Sequence, residues 1–153
     1  MDIINKENKK KDEKVSKELQ DTQNRVDVRN IPISRVGIKD IKYPFKMSDK
    51  DGITQSVIGT FTMSVGLPHD VKGTHMSRFV KILEDQKDSI SIENFDNLVK
   101  NTSNVLSSES AFASVEFTYF KKKNAPVSKT ESLLDYSVGY TCEVKNKIVN
   151  KYL

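Results

Sequence analysis

Apolar and polar positions along this chain change period several times, and each change marks an element. Val36, Ile38, Ile41 and Tyr43 stand among polar residues and Pro44 limits further ladder bonding, which predicts a strand over about 35–46. "DKDG" at 49–52 reads as a turn. After it Val57, Phe61, Met63 and Val65 share one face, with Ser56, Thr60, Thr62 and Ser64 mostly on the other, so the two strands form a hairpin with one buried side. From Thr74 the spacing becomes helical: Met76, Phe79, Val80 and Leu83 follow i, i+3, i+4, i+7, with Thr74 or Ser77 as the cap. Past the polar break "EDQKDS", Ser91 precedes a second stripe of Ile92, Phe95, Leu98, Val99, Thr102 and Leu106. Alternation returns with Val115, Phe117 and Tyr119 against Ser114, Glu116 and Thr118. "NAPVSKTE" ends that strand, and Tyr136, Val138, Tyr140, Cys142 and Val144 share a face of the fourth and last. The order β-β-α-α-β-β predicts an α+β fold, an antiparallel sheet with both helices packed on one face. Its polar face and strand edges then remain to be covered, for which association with another module is the obvious means.

Residues 1–22 have almost nothing to bury, and their lysines and acids cancel, so they are expected to form a mobile charged tail ahead of a single module over 23–153. A chain of 153 residues suffices for one continuous core without disulfides or a structural metal. The formal charge of +4 is small and dispersed, and no aromatic cluster accompanies the lysines, so no nucleic-acid partner is expected. The single cysteine, Cys142, excludes an internal disulfide and fits a reducing compartment. No apolar run reaches bilayer length, so a soluble, cytoplasmic protein with no membrane partner is the expectation.

The candidate chemistry gathers in "LPHDVKGTHMSRFVKIL", residues 67–83, which holds both histidines. His75 stands at a loop-to-helix junction whose free amides favour an anion. Two roles fit it, a substrate contact or acid on one hand and a loop-fastening hydrogen bond on the other. Lys72 and Arg78 flank the junction and suit a polyphosphate, although each also reads as an ordinary surface charge. His69 and His75 do not have helical metal-pair spacing, and no acid or thiol is clearly associated with them. Cys142 alternates with Tyr140 and Val144 and reads as a buried thiol. The lysines of "FKKKN" at 120–124 either face phosphate or guard a strand edge.

Three runs, "DTQNRVDVRNIPISRVGIKDIKYPF", "KGTHMSRF" and "LLDYSVGYTCEV", resemble the N-terminal half of the type IB GTP cyclohydrolase family; the resemblance covers about 22–145. It implies a tunnelling-fold (T-fold) ββααββ module, the first of two in a family chain roughly twice as long, assembled into oligomeric barrels with active sites between subunits. The implied activity is hydrolysis of GTP to 7,8-dihydroneopterin triphosphate and formate, the first step of folate and pterin synthesis. The implied cofactor is zinc or manganese, held by cysteine, histidine and glutamate ligands in the second module, and no such segment occurs in this sequence. No metal is therefore expected on this chain alone. His75 is the catalytic candidate of an incomplete site, and Lys72, Thr74, His75 and Arg78 are the substrate-binding candidates. By the same resemblance Glu116 would grip a guanine-like edge, whereas by alternation it belongs to a polar sheet face. The expectation is a truncated GTP cyclohydrolase chain, inactive alone. It would partner GTP together with further copies or the missing second module. The alternatives are one half of a split enzyme, or a non-catalytic oligomerising or purine- or pterin-binding module.

Overall fold

The computed structural model describes Val28 and residues 31–153, so the expected tail over 1–22 lies outside the described residues. β1 (Ile33–Ser48) and β2 (Thr54–Leu67) form the first hairpin. α1 (Met76–Glu84) and α2 (Phe95–Val105) follow, then β3 (Ser110–Asn124), β4 (Glu131–Lys145) and β5 (Ile148–Tyr152). The five strands lie in chain order in one antiparallel sheet.

The first hairpin turns where the sequence requires it. Asp49 Oδ1 accepts the N–H groups of Asp51 and Ile53, each at 2.9 Å, and Gly52 takes φ +78° with its N–H on Asp49 O. β1 is longer than expected at both ends and runs through Pro44. Because β1 is an edge strand, the missing N–H is tolerated there. A bulge between Ile38 and Ile41 is turned by Asp40 at φ +57°, whose N–H meets Thr62 Oγ1 at 3.3 Å.

The core lies on one face of the sheet. In register, Phe61, Val115 and Tyr140 stand side by side, as do Met63, Ala113 and Cys142, and Val65, Ala111 and Val144. Phe79, Ile82, Leu83, Phe95, Leu98 and Val99 close over them as part of the same buried cluster. Fully burying one such side chain contributes about 1.5–3 kcal/mol, so this shared face supplies most of the drive to fold. The second helical stripe is as expected: Thr102 is fully buried, its hydroxyl donating to Leu98 O at 2.8 Å. The first stripe is shifted, with Met76 exposed and Ile82 buried in its place. Tyr136, expected in the core, is exposed, although its register partner Tyr119 is buried.

The sheet has five strands where four were expected. Asn146 and Lys147 take φ +49° and +67°, a two-residue turn that sends Ile148–Tyr152 back along β4. β5 is fastened by Lys151, whose Nζ reaches Asp96 Oδ1 of α2 at 2.6 Å and donates to Glu93 O at 2.8 Å.

Candidate substrate-binding loop and sheet face

The segment Val71–Arg78 carries the chain from the end of β2 into α1. Its start is turned by Val71 N–H on Pro68 O, and its end is anchored by the fully buried Phe79. The N-cap of α1 is His75, not Thr74 or Ser77. His75 has an extended backbone (φ −80°, ψ 107°), its side chain makes no capping hydrogen bond, and Arg78 N–H closes on its carbonyl at 3.1 Å. Thr74 is buried beneath the loop while Lys72 and Arg78 are exposed. The His75 ring is half-buried, with its Nε2 turned inside. No acid occupies the first turn of α1, so its N-terminal amides, Lys72 and Arg78 together favour an anion. The four candidates thus share one junction.

The other sequence candidates lie elsewhere. His69 is exposed in the turn before the junction. Cys142 is fully buried between Ala113 and Lys151 in register, and burial pushes its thiol above the ordinary value. Such a thiol is a poor metal ligand, and among the described residues no three histidine, cysteine or acidic side chains are grouped to hold an ion. The described residues therefore do not fit the zinc or manganese that the resemblance implies. Two lysines of the run are paired with acids, Lys121 with Asp51 at 3.0 Å and Lys122 with Glu131 at 2.6 Å, while Lys123 lies over the Tyr136 ring and keeps its charge.

The helix-free face of the sheet is polar. Glu116 is exposed in its middle, between Thr60 and Gly139 in register, and with Ile58, Thr118 and Ser137 it lines a depression of about 480 Å³. At one end of this face Arg35 stacks over Phe112 at 4.2 Å and meets Glu143 at 3.1 Å, linking β1 to β4 across the sheet.

Residues 19–153 match the family described as type I GTP cyclohydrolase folE2. The chain belongs to that family. Its relatives include the proteins named GTP cyclohydrolase FolE2 of Azoarcus sp. strain BH72, 45% identical over 82% of this chain, and of Nitrosococcus oceani, 43% identical over 86%. The FolE2 protein of Vesicomyosocius okutanii is 47% identical over 78%. The chain spans about half the length of these FolE2 relatives: 47%, 49% and 46% of them in turn. No helix among the described residues is long and apolar enough to cross a membrane.

Signals for the remaining features were present in the sequence. "VKNKIV" places Asn146, a residue type that tolerates positive φ, between Val144–Lys145 and Ile148–Val149, a partial signal for the β4–β5 turn. The Asp96 pairing with Lys100 has the i, i+4 spacing of helical ion pairs.

Proposed function

We propose that this chain is the first, substrate-gripping module of a GTP cyclohydrolase of the FolE2 type, which takes GTP and water to 7,8-dihydroneopterin triphosphate and formate. The carrying observation is that the family match runs from residue 19 to 153 and includes "KGTHMSRF", the run that forms the β2–α1 junction. In this reading the sheet and its two helices are a tunnelling-fold module to which β5 is added. The triphosphate lies at the N-terminus of α1. Arg78 offers a forked pair of donors, Lys72 a point charge, and His75 a ring at the mouth of the helix that contacts substrate; buried Thr74 holds the loop in shape. Metal chemistry of the family finds no fitting ligand set among the described residues, so the work assigned to this chain is binding and orientation, with a second module or further copies completing the site. Such assembly would also cover the edges of the sheet at β1 and β5 and the stretch of β4 that β5 leaves unpaired. A cytoplasmic setting fits the single buried thiol.

The test is calorimetric titration of the 153-residue protein with GTP and with guanosine, using the native chain and Arg78→Ala and Lys72→Ala variants. GTP should bind much more tightly than guanosine, and each variant should weaken GTP at least tenfold, about 1.4 kcal/mol, while leaving guanosine unchanged. Equal affinity for GTP and guanosine, or variants that bind GTP as well as the native chain, would remove the junction from the site. Formate release on adding the second half of a FolE2 relative, and none without it, separates half of a working enzyme from a module that only binds.

A further inference from the structure

We propose that the sheet consists of two hairpin units joined by a short hinge ladder, and that the side chain of Gln55 is the clamp that closes the gap between them. β1 and β2 are paired from Ile33↔Leu67 to Ser48↔Thr54, and β3 and β4 from Ser110↔Lys145 to Asn124↔Glu131. β2 and β3 are paired only from Thr60↔Glu116 to Val65↔Ala111. Beyond Thr60, toward the Asp49–Gly52 turn, the two hairpins run on without a ladder between them.

The Gln55 carboxamide bridges the far end of that gap. Its Nε2 donates to Phe120 O at 2.6 Å, and Phe120 N–H donates to its Oε1 at 3.4 Å, the two bonds that a main-chain residue of β2 would otherwise make. Since the N–H and C=O of Phe120 point toward β2, the two-residue period of a strand points those of Thr118 the same way, into the stretch where the ladder has ended. The Glu116 depression opens at that stretch on the helix-free face. On the core face the gap is filled by Phe45, whose ring meets those of Phe61 and Phe117 edge-on at 5.3 Å each. Three further ties join the turn to β3: Tyr119 Oη donates to Asp49 Oδ2 at 2.7 Å, Lys121 Nζ donates to Asp51 Oδ2 at 3.0 Å, and the same Nζ lies 3.6 Å from Asp49 Oδ2.

Outside the Phe45 packing, the closure therefore rests on a few side-chain hydrogen bonds, those of Gln55 and Lys121 at exposed positions, each of which yields more readily than a run of ladder bonds. Opening is a local event distinct from unfolding. It widens the depression around Glu116 and bares the main-chain groups of Phe120 beside those of Thr118. The device stands on the sheet geometry alone and does not depend on what binds at the β2–α1 junction.

Amide hydrogen exchange followed by NMR on the full chain tests this in the native protein and in Gln55→Ala and Gln55→Glu. The Phe120 amide should exchange at least tenfold faster in Gln55→Ala. In Gln55→Glu, which keeps an acceptor for that N–H, the increase should be smaller. The Ser114 amide, which lies inside the hinge ladder, should not change. An unchanged Phe120 amide, or Phe120 and Ser114 accelerating together, overturns the proposal. Should Gln55→Ala fail to fold, the native protein in low urea decides. A shallower urea dependence for Phe120 than for Ser114 supports local opening, and equal slopes refute it.

Discussion

Replacing Asp96 by Asn tests how the last strand is held. Asp96 lies in the first turn of α2 with its side chain 12% exposed, and its two oxygens meet Lys100 Nζ and Lys151 Nζ, each at 2.6 Å. Asparagine keeps the shape but removes the charge, and its amide nitrogen sets a donor against one of the ammonium groups. Breaking a fully buried pair costs about 3–5 kcal/mol. Here the lysine side chains are 48% and 35% exposed, so water replaces much of the lost attraction. A loss of about 1–2 kcal/mol follows, including a few tenths for an anion removed from a helix N-terminus. For a chain of 153 residues that lowers the melting temperature by roughly 2–8 °C.

The pH dependence is a second reading of the same contact. Burial pushes the Asp96 carboxyl up, but the hydrogen bonds and charges of Lys100 and Lys151 more than offset this and hold it below its ordinary value. A folded pKa below the unfolded one contributes stability that is fully present above the unfolded value and disappears as pH falls through the folded one. Urea unfolding of the native and Asp96→Asn proteins should therefore differ most near neutral pH, and the gap should narrow as pH falls below about 4, the ordinary carboxylate range, and close as pH passes the lowered folded value. Equal stability at neutral pH, or a gap that persists unchanged into acid, would refute the reasoning.

Gly59→Ala should destabilise the chain by about 1–3 kcal/mol in thermal unfolding, because a Cβ there would lie 2.6 Å from both Phe45 Cε1 and Val115 Cγ2. Trimming the neighbour in Gly59→Ala/Phe45→Leu should cost less than the sum of the two single changes, and strict additivity would show that the ring is not what the methyl meets. Tyr119→Phe should raise the Asp49 pKa toward the ordinary carboxylate value in an NMR titration, since the phenol hydrogen bond is the largest influence holding it down; an unmoved titration would show that the contact is not formed in solution.

The elements whose residues repeat with a clear period are legible in the sequence. Phe61, Met63 and Val65, then Val115 and Phe117, then Tyr140, Cys142 and Val144 alternate because one face of each strand must leave water, and all are buried. The spacing of Phe95, Leu98, Val99 and Thr102 marks α2 for the same reason. Short or marginal features are harder to see. β5 has five residues, mostly exposed: Asn146 hints at its turn, but its place also depends on Lys151 finding Asp96, a contact that no local pattern announces. Met76 follows helical spacing yet is exposed, since a stripe does not say where along a helix the neighbouring layer stops. The candidate junction is located by its charges and its entry into a helix, but that His75 is the N-cap, with Thr74 beneath it, depends on how β2 delivers the chain to α1.

Neighbours along the chain are enough to set the alternation that builds the core face, the two helical stripes, and the gathering of Lys72, His75 and Arg78 within a few residues. The three-dimensional arrangement alone settles that β2 and β3 part company at Thr60, that a glutamine side chain substitutes for the missing ladder, and that a buried carboxylate ties the last strand to a helix. The reason is physical: periodicity records which side of an element leaves water, whereas register, gaps and long-range pairs depend on where distant segments meet once that burial has been satisfied.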